Sequence, residues 1–189
     1  MKNKTPDFAY HMTKFFTEYL PIQRNLSPNS IATYRDTFRL LLLFYDTEKH
    51  IKPNLLTLDM LNVQQIEDFM LWLKKERNCG ASTCNQRLGA LKSFFRYLQF
   101  ALPDCALQCQ ENLAIRPMKQ SEPGLKYLTI DGIKLLLEQP DIKTKYGRRD
   151  LAILSLMYDT GARVQEIADI KIVHIRFSAP ATIRITGKG

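Results

Sequence analysis

The apolar pattern of this chain lapses once, and that lapse constrains the fold more than any other feature. Residues 116–126 read Arg-Pro-Met-Lys-Gln-Ser-Glu-Pro-Gly-Leu-Lys, with two prolines, a glycine and mixed charge. Such a composition is typical of a linker between folded units. We therefore predict two units, residues 1–115 and residues 127–189, rather than one continuous core.

The residues before this linker repeat their apolar side chains with the 3.6-residue period of helices. Ser27 followed by Pro28 predicts a helix start, because serine caps free N–H groups and proline fits the first helical position. Ser82 predicts the cap of a fourth helix, which Pro103 ends. The predicted helices are 8–20, 28–45, 63–77, one from Ser82 to Pro103, and a short one at 106–113. Four or five helices with short connections predict a compact bundle.

The residues after the linker predict a smaller unit of helices and strands. Thr129 is a plausible cap for a helix at 130–138, and Gly161 ends a longer helix at 148–159. A short helix is predicted at 164–168. Two β-prone segments follow, at 170–175 and 182–186.

The net charge of +8 on 189 residues favours a polyanionic partner such as nucleic acid. The excess is spread along the chain, because residues 1–118 and residues 119–189 each carry +4. No apolar run approaches the roughly 18–20 residues that span a bilayer. The first residues also lack the apolar core of a signal peptide, so we expect no membrane partner and a cytoplasmic location.

Four cysteines raise the question of a zinc site. They are Cys79, Cys84, Cys105 and Cys109, and no pair has the Cys-x2-Cys spacing of structural zinc sites. We expect reduced thiols and no bound metal.

Two cations near the end of the sequence are candidates for phosphate chemistry. Arg163 follows Gly161 and opens the short helix, where a guanidinium can give two parallel hydrogen bonds to a phosphate. Glu166 lies within one helical turn and could orient Arg163. Lys188 sits between two glycines, in a turn that would project its ammonium group. Taken alone, the arginine and glutamate are better explained as an ordinary surface ion pair, which contributes little to stability.

The order of these features resembles the tyrosine recombinase (phage integrase) family. A helical bundle, a linker, Thr-Gly-Ala-Arg-x-x-Glu-Ile, two strands and Gly-Lys-Gly follow one another, with Lys188 25 residues after Arg163. The runs Ser27 to Asp36 and Asn85 to Leu98 resemble the family's two DNA-facing helices. The resemblance implies an N-terminal SAM-like core-binding domain at 1–115, the linker at 116–126, and part of an α+β catalytic domain at 127–189.

The resemblance also implies roles for individual residues. Arg163 matches the arginine that binds the scissile phosphate, Glu166 the acidic residue beside it, and Lys188 the lysine that protonates the leaving 5′-hydroxyl. The family cleaves and rejoins duplex DNA through a phosphotyrosine, without metal or nucleotide cofactor. The full-length parent is implied to act as a tetramer on DNA.

The sequence departs from the family in one respect. The family places a His-x-x-Arg motif and a tyrosine nucleophile after the lysine, whereas all eight tyrosines here precede Lys188. No histidine is followed by arginine three residues on. We therefore expect these 189 residues to be inactive in strand exchange by themselves.

The DNA face is predicted on the second and fourth helices, where basic and polar side chains lie off the apolar stripe. Phosphate contacts would position the protein and polar side chains could reach base edges. The candidates are Arg35, Arg39, Ser82, Thr83, Asn85, Gln86, Arg87, Lys92 and Arg96. Two alternatives stay open: a non-catalytic module that occupies recombination sites, and a helical interaction protein with no DNA role.

Overall fold

The structure is a computed structural model that describes residues 7–120, residue 124 and residues 127–187. The described residues are mainly helical with one small two-stranded sheet, which confirms the predicted fold class. The chain divides into two compact units, Met1–Glu122 and Pro123–Gly189. Within the described ranges, no helix is both long enough and apolar enough to cross a membrane.

The first unit is a bundle of helices. Its first helix continues from Phe15 to Gln23 in wider π turns, with Pro21, which has no N–H to donate, inside that segment. Single 3₁₀ turns connect some of the helices. The helices are α1 Phe8–Lys14, α2 Pro28–Glu48, α3 Val63–Lys75, α4 Ala81–Ala101 and α5 Ala106–Leu113.

Helix caps decide where these helices begin. The prediction for α2 is confirmed, because Ser27 Oγ accepts a hydrogen bond from Ser30 N at 3.3 Å. The prediction that Ser82 caps α4 is wrong. Gly80 is the N-cap, in extended conformation with ψ of 162°, and Ser82 lies inside the first turn. The glycine carbonyl already accepts the first helical bond, from Cys84 N at 3.0 Å, so the helix starts at Ala81, one residue before the serine.

Aromatic side chains fill the centre of the bundle. Phe8 and Phe15 from the first helical segment meet Phe38 from α2 and Phe94 from α4, with ring centroids 5.2–6.4 Å apart. All four are at most 2% exposed. Edge-to-face and offset ring pairs at these distances add to the free energy gained by burying their surface. The cluster therefore fixes the first segment and α2 against α4.

Residues 115–118, which we call the strap, pack on the first unit. The Ile115 and Met118 side chains lie against its core. Asn85 on α4 pairs with the backbone of Met118, accepting from its N at 2.7 Å and donating to its O at 2.8 Å. Lys92 Nζ donates to Ile115 O at 2.6 Å. Part of the segment that the sequence reads as a linker is thus bound to α4.

In its described residues, the second unit holds three α-helices and the sheet. They are α6 Ile130–Glu138, α7 Lys145–Thr160, α8 Val164–Ala168, β1 Ile175–Arg176 and β2 Thr182–Ile183. The cap prediction at Thr129 is confirmed, since its Oγ1 accepts from Gly132 N at 3.1 Å. Helix α7 begins at Lys145 rather than near Arg148, because Thr144 Oγ1 caps it by accepting from Gly147 N at 2.9 Å.

The strands are shorter than the sequence predicts. They pair antiparallel through only two residue pairs, Ile175 with Ile183 and Arg176 with Thr182. Half of the predicted first strand is instead a 3₁₀ turn at Ile172–His174. The β-branched side chains Ile172 and Val173 are 83% and 86% exposed. A β-prone segment without a neighbouring strand or a buried face has nothing to hold it extended.

The turn that leads into α7 is tightly packed. Asp141 O accepts from Thr144 N at 3.0 Å and from Thr144 Oγ1 at 2.9 Å, which closes the turn. Gly147 is buried against it, and a Cβ there would lie 2.0 Å from Asp141 O. Only glycine allows this approach of the helix to the turn. The start of α7 is therefore held in one position relative to residues 141–144.

Candidate nucleic-acid interface

Arg163 is placed by the junction between α7 and α8. Helix α7 ends at Gly161, whose φ of +64° is in the left-handed region that glycine adopts without strain. Arg163 follows in extended conformation, with ψ of 151°, as the N-cap of α8. Its side chain is 78% exposed. The sequence predicts this geometry, in which an arginine opens a short helix just after a glycine turn.

Glu166 binds Arg163 through both carboxylate oxygens. Oε2 accepts from the Arg163 backbone N at 2.9 Å, and Oε1 accepts from the guanidinium NH1 at 2.8 Å. The Glu166 side chain is only 15% exposed. One carboxylate therefore caps α8 and restrains the arginine side chain at the same time.

The same contacts lower the pKa of Glu166 below its ordinary value. The larger cause is the hydrogen bond from the Arg163 backbone N–H, and the guanidinium hydrogen bond follows. Both favour the ionised carboxylate. Glu166 therefore stays charged at neutral pH and keeps its hold on Arg163.

The chain returns to Glu166 at Gly187. A Cβ at Gly187 would lie 3.2 Å from Glu166 Oε1, so the backbone there runs beside the carboxylate. Lys188 is the next residue in the sequence and lies outside the described residues. The structure thus brings Arg163, Glu166 and the residue before Lys188 together at one end of α8.

The side chains predicted for DNA divide into two sets. Arg35 and Arg39 on α2 are exposed, and on α4 the exposed positions are Ser82, Gln86 and Arg96. At about 100° per residue, positions 82, 86 and 96 lie within about 80° of one another around the axis of α4, so they fall on one broad stripe of the helix. Thr83 is half-buried. These side chains are available to a ligand.

Three other predicted residues on α4 are partly engaged within the protein. Asn85 and Lys92 bind the strap, and burial lowers the pKa of Lys92, with Arg96 as a second cause. Arg87 is half-buried, and its Nε is buried without a hydrogen-bond partner in the described part of the chain. No pattern in the sequence indicates these contacts directly, apart from the apolar Ile115 just before the predicted linker and Met118 within it.

The cysteines do not form a metal-binding cluster. Within residues 7–120, 124 and 127–187, no group of three or more His, Cys, Asp and Glu side chains could hold a metal ion. Burial raises the pKa of the Cys109 thiol to about 11, and burial also raises the pKa of Cys84. Buried neutral thiols are poor metal ligands and poor nucleophiles.

Comparison with known proteins identifies the first unit. Residues 14–100 match the family model described as phage integrase, N-terminal SAM-like domain. This range covers most of the helical bundle from the end of α1 through α4. The matched segment includes every residue predicted for the DNA face of the second and fourth helices, and it ends before Arg163 and Lys188.

Curated relatives match along nearly the whole chain. The protein y4rC of Sinorhizobium fredii, provisionally named an integrase/recombinase, is 35% identical over 186 residues. The protein y4rD of the same organism, which carries the same description, is 34% identical over 181 residues. Tyrosine recombinase XerD of Listeria innocua is 30% identical over 176 residues. The matches cover 98%, 94% and 92% of this chain but only 56%, 64% and 56% of the relatives.

The two hydrogen bonds from Arg163 predict how the pKa of Glu166 responds when the arginine side chain is removed. In Arg163→Ala we expect the pKa of Glu166 to rise only part of the way to its ordinary value, because the larger cause is the backbone N–H, which alanine retains. At pH values above the unfolded-state pKa of Glu166, the lowered pKa contributes stability to the fold, and this stability is lost as pH falls through the folded-state pKa. A carboxyl ¹³C NMR titration measures the pKa of Glu166 in the wild-type chain and in the variant. Full return to the ordinary pKa in the variant would contradict this order of causes.

The strap predicts different roles for two adjacent amides on α4. Asn85→Ala should lower the free energy of unfolding by about 1–3 kcal/mol, because it leaves the Met118 backbone groups without partners. Gln86→Ala, at an exposed position, should change it by less than about 0.5 kcal/mol. Denaturant unfolding measures both, and hydrogen exchange should show faster exchange at residues 115–118 in Asn85→Ala alone. Equal effects of the two substitutions would refute a bound strap.

Proposed function

Because this chain belongs to the tyrosine recombinase family, we propose that it binds duplex DNA as part of a site-specific recombinase that cleaves and rejoins strands. The chain matches only 56–64% of the length of these relatives, so the activity of a complete recombinase is proposed for this chain rather than established. We propose that no metal or nucleotide cofactor takes part. The parent protein would act as a tetramer on its DNA.

The observation that carries the proposal is the presentation of Arg163. Its side chain is largely exposed, yet it is held by Glu166, whose side chain is only 15% exposed. A restrained guanidinium loses little conformational freedom on binding a phosphate and is already in place when charge grows on the phosphate oxygens. An ordinary surface arginine has no such support. This arrangement favours binding of a scissile phosphate over a simple surface ion pair.

Glu166 and Lys188 would complete this half of the phosphate site. Glu166 would act through Arg163, as a positioning residue. Lys188 would protonate the leaving 5′-oxygen, which is the task of a general acid. The described chain supports this role only as far as Gly187, the residue before Lys188 in the sequence, whose backbone runs beside Glu166.

The bundle would hold the DNA through α2 and α4. Arg35, Arg39 and Arg96 are suited to phosphates, which set the position of the protein without reading sequence. Ser82 and Gln86, at the exposed start of α4, could hydrogen-bond to base edges in the major groove. Thr83 would contribute from the side of this stripe. For Asn85 and Lys92, a DNA contact would require them to give up hydrogen bonds to the strap. Arg87 would have to leave its half-buried position.

A nucleophile is missing from this scheme. The tyrosine nearest to Arg163 in sequence is Tyr158, which lies within α7 and is 56% exposed. Its place before the arginine differs from the family order, in which the nucleophile follows the lysine. We therefore propose that the 189 residues bind DNA but form no phosphotyrosine bond by themselves. A non-catalytic module that occupies recombination sites is the second candidate, and it shares this DNA-binding property.

DNA binding should weaken steeply with salt, because each neutralised phosphate releases counterions. In Arg35→Gln/Arg39→Gln, we expect the slope of log affinity against log salt to fall by about 2 in magnitude. Lys52→Gln/Lys134→Gln, which removes two exposed charges elsewhere, should retain the wild-type slope. Fluorescence anisotropy with a labelled duplex measures all three. If the wild-type chain shows no salt-dependent binding, the proposal fails, and the remaining alternative is a helical interaction protein with no DNA role.

Covalent chemistry is tested separately. A nicked suicide duplex traps any tyrosine that attacks a phosphate, because the released end diffuses away. We expect no covalent protein–DNA adduct with the 189-residue chain on denaturing gels, while a full-length relative such as XerD serves as the positive control. A phosphotyrosine adduct mapped to any of the eight tyrosines would overturn the proposal that this chain is inactive alone.

A further inference from the structure

A second basic surface lies in the second unit, at the start of α7. We propose that Lys143 and Lys145 bind phosphates of the same duplex at a place separate from Arg163. This inference rests on the proposed function, since it assumes that the chain binds DNA. It adds a contact site that neither the family model, which ends at residue 100, nor the predicted DNA residues include.

The charge of this surface is concentrated and of one sign. Four of the seven residues 143–149 are basic and none is acidic. We call these the α7 basic cluster, and all four are exposed. They are Lys143, Lys145, Arg148 and Arg149.

The acidic residues on either side are already engaged. Asp141 Oδ1 accepts from the Lys143 backbone N at 2.9 Å. Asp150 Oδ1 accepts from Nε and NH2 of Arg149, at 2.9 and 2.7 Å. Neither Lys143 nor Lys145 has an ion-pair partner in the part of the chain that the structure describes. The two ammonium groups are therefore the charges in this cluster that a polyanion would neutralise.

The backbone that carries the cluster is held by hydrogen bonds and close packing. The Asp141–Thr144 turn is closed by hydrogen bonds and packed against Gly147. Arg148 adds a clamp, because its NH1 donates to Ile142 O at 3.0 Å and to Lys143 O at 3.2 Å. Two lysines on a fixed turn lose less conformational freedom on binding than lysines on a mobile loop. Arg148 and Arg149 support the positive potential, while their guanidinium groups are partly occupied within the protein.

Helix α7 separates this cluster from Arg163. The helix has 16 residues, with the cluster at its start and Gly161 at its end. At a rise of 1.5 Å per residue its length is about 24 Å. Base pairs are stacked about 3.4 Å apart, so this length matches about seven base pairs along the duplex. The lysines and Arg163 would thus contact different phosphates, and the cluster would help to fix the angle of α7 on the DNA.

The test compares single charge removals under one assay. In Lys143→Gln and in Lys145→Gln, we expect the salt slope of duplex binding to fall by about 1, as for one lost phosphate contact. In the double variant we expect the salt slope to fall by about 2, so that the loss of affinity between 50 and 200 mM salt becomes roughly tenfold smaller. Lys134→Gln is the control, because Lys134 is exposed on α6 in the same unit and pairs with Asp131 at 3.4 Å.

The outcomes separate this inference from the proposed function. A reduced slope in both cluster variants, with Lys134→Gln unchanged, supports the contact. Wild-type binding with unchanged slopes in all variants refutes the cluster and leaves the proposed function intact. Equal reductions in all three single variants show an effect of net charge and also refute it. A wild-type chain that binds no duplex overturns both.

Discussion

The first unit depends on the burial of Phe15. Its ring is 0% exposed and lies within 5.2–5.8 Å of Phe38, Phe94 and Tyr97, so it joins the first segment to α2 and α4. Replacing a buried phenylalanine with alanine typically costs 3–5 kcal/mol, because the surrounding side chains cannot close the cavity. The outward faces of α2 and α4 are the ones proposed to meet DNA. Their relative position is therefore set from inside the bundle by aromatic packing.

Helix α4 contributes side chains to two surfaces of the first unit. One side carries the exposed stripe through Ser82, Gln86 and Arg96, while Asn85 and Lys92 bind the strap. The strap satisfies polar groups that would otherwise be half-buried and unpaired. It also means that the chain leaves the first unit from a fixed point on the helix proposed to contact DNA.

The features that the sequence predicted correctly depend mostly on near neighbours, although the local cap predicted at Ser82 was wrong. The caps at Ser27 and Thr129, and the pairing of Arg163 with Glu166, involve partners three residues away. The partners of Asn85 and Lys92 lie 33 and 23 residues away, and no periodicity indicates them. The predicted strands failed for a related reason, since strand length depends on which segments pair, and that is not a property of either segment.

The way Glu166 holds Arg163 has a consequence for stereochemistry. Its carboxylate engages NH1, so the edge formed by Nε and NH2 is the one left without a partner in Glu166. A phosphate bound in two-point fashion would therefore meet that edge, in the plane that the carboxylate fixes. The two non-bridging oxygens would then differ in their surroundings. Arg163 would distinguish the two faces of a phosphodiester, and sulfur substitution at one oxygen would weaken binding more than substitution at the other.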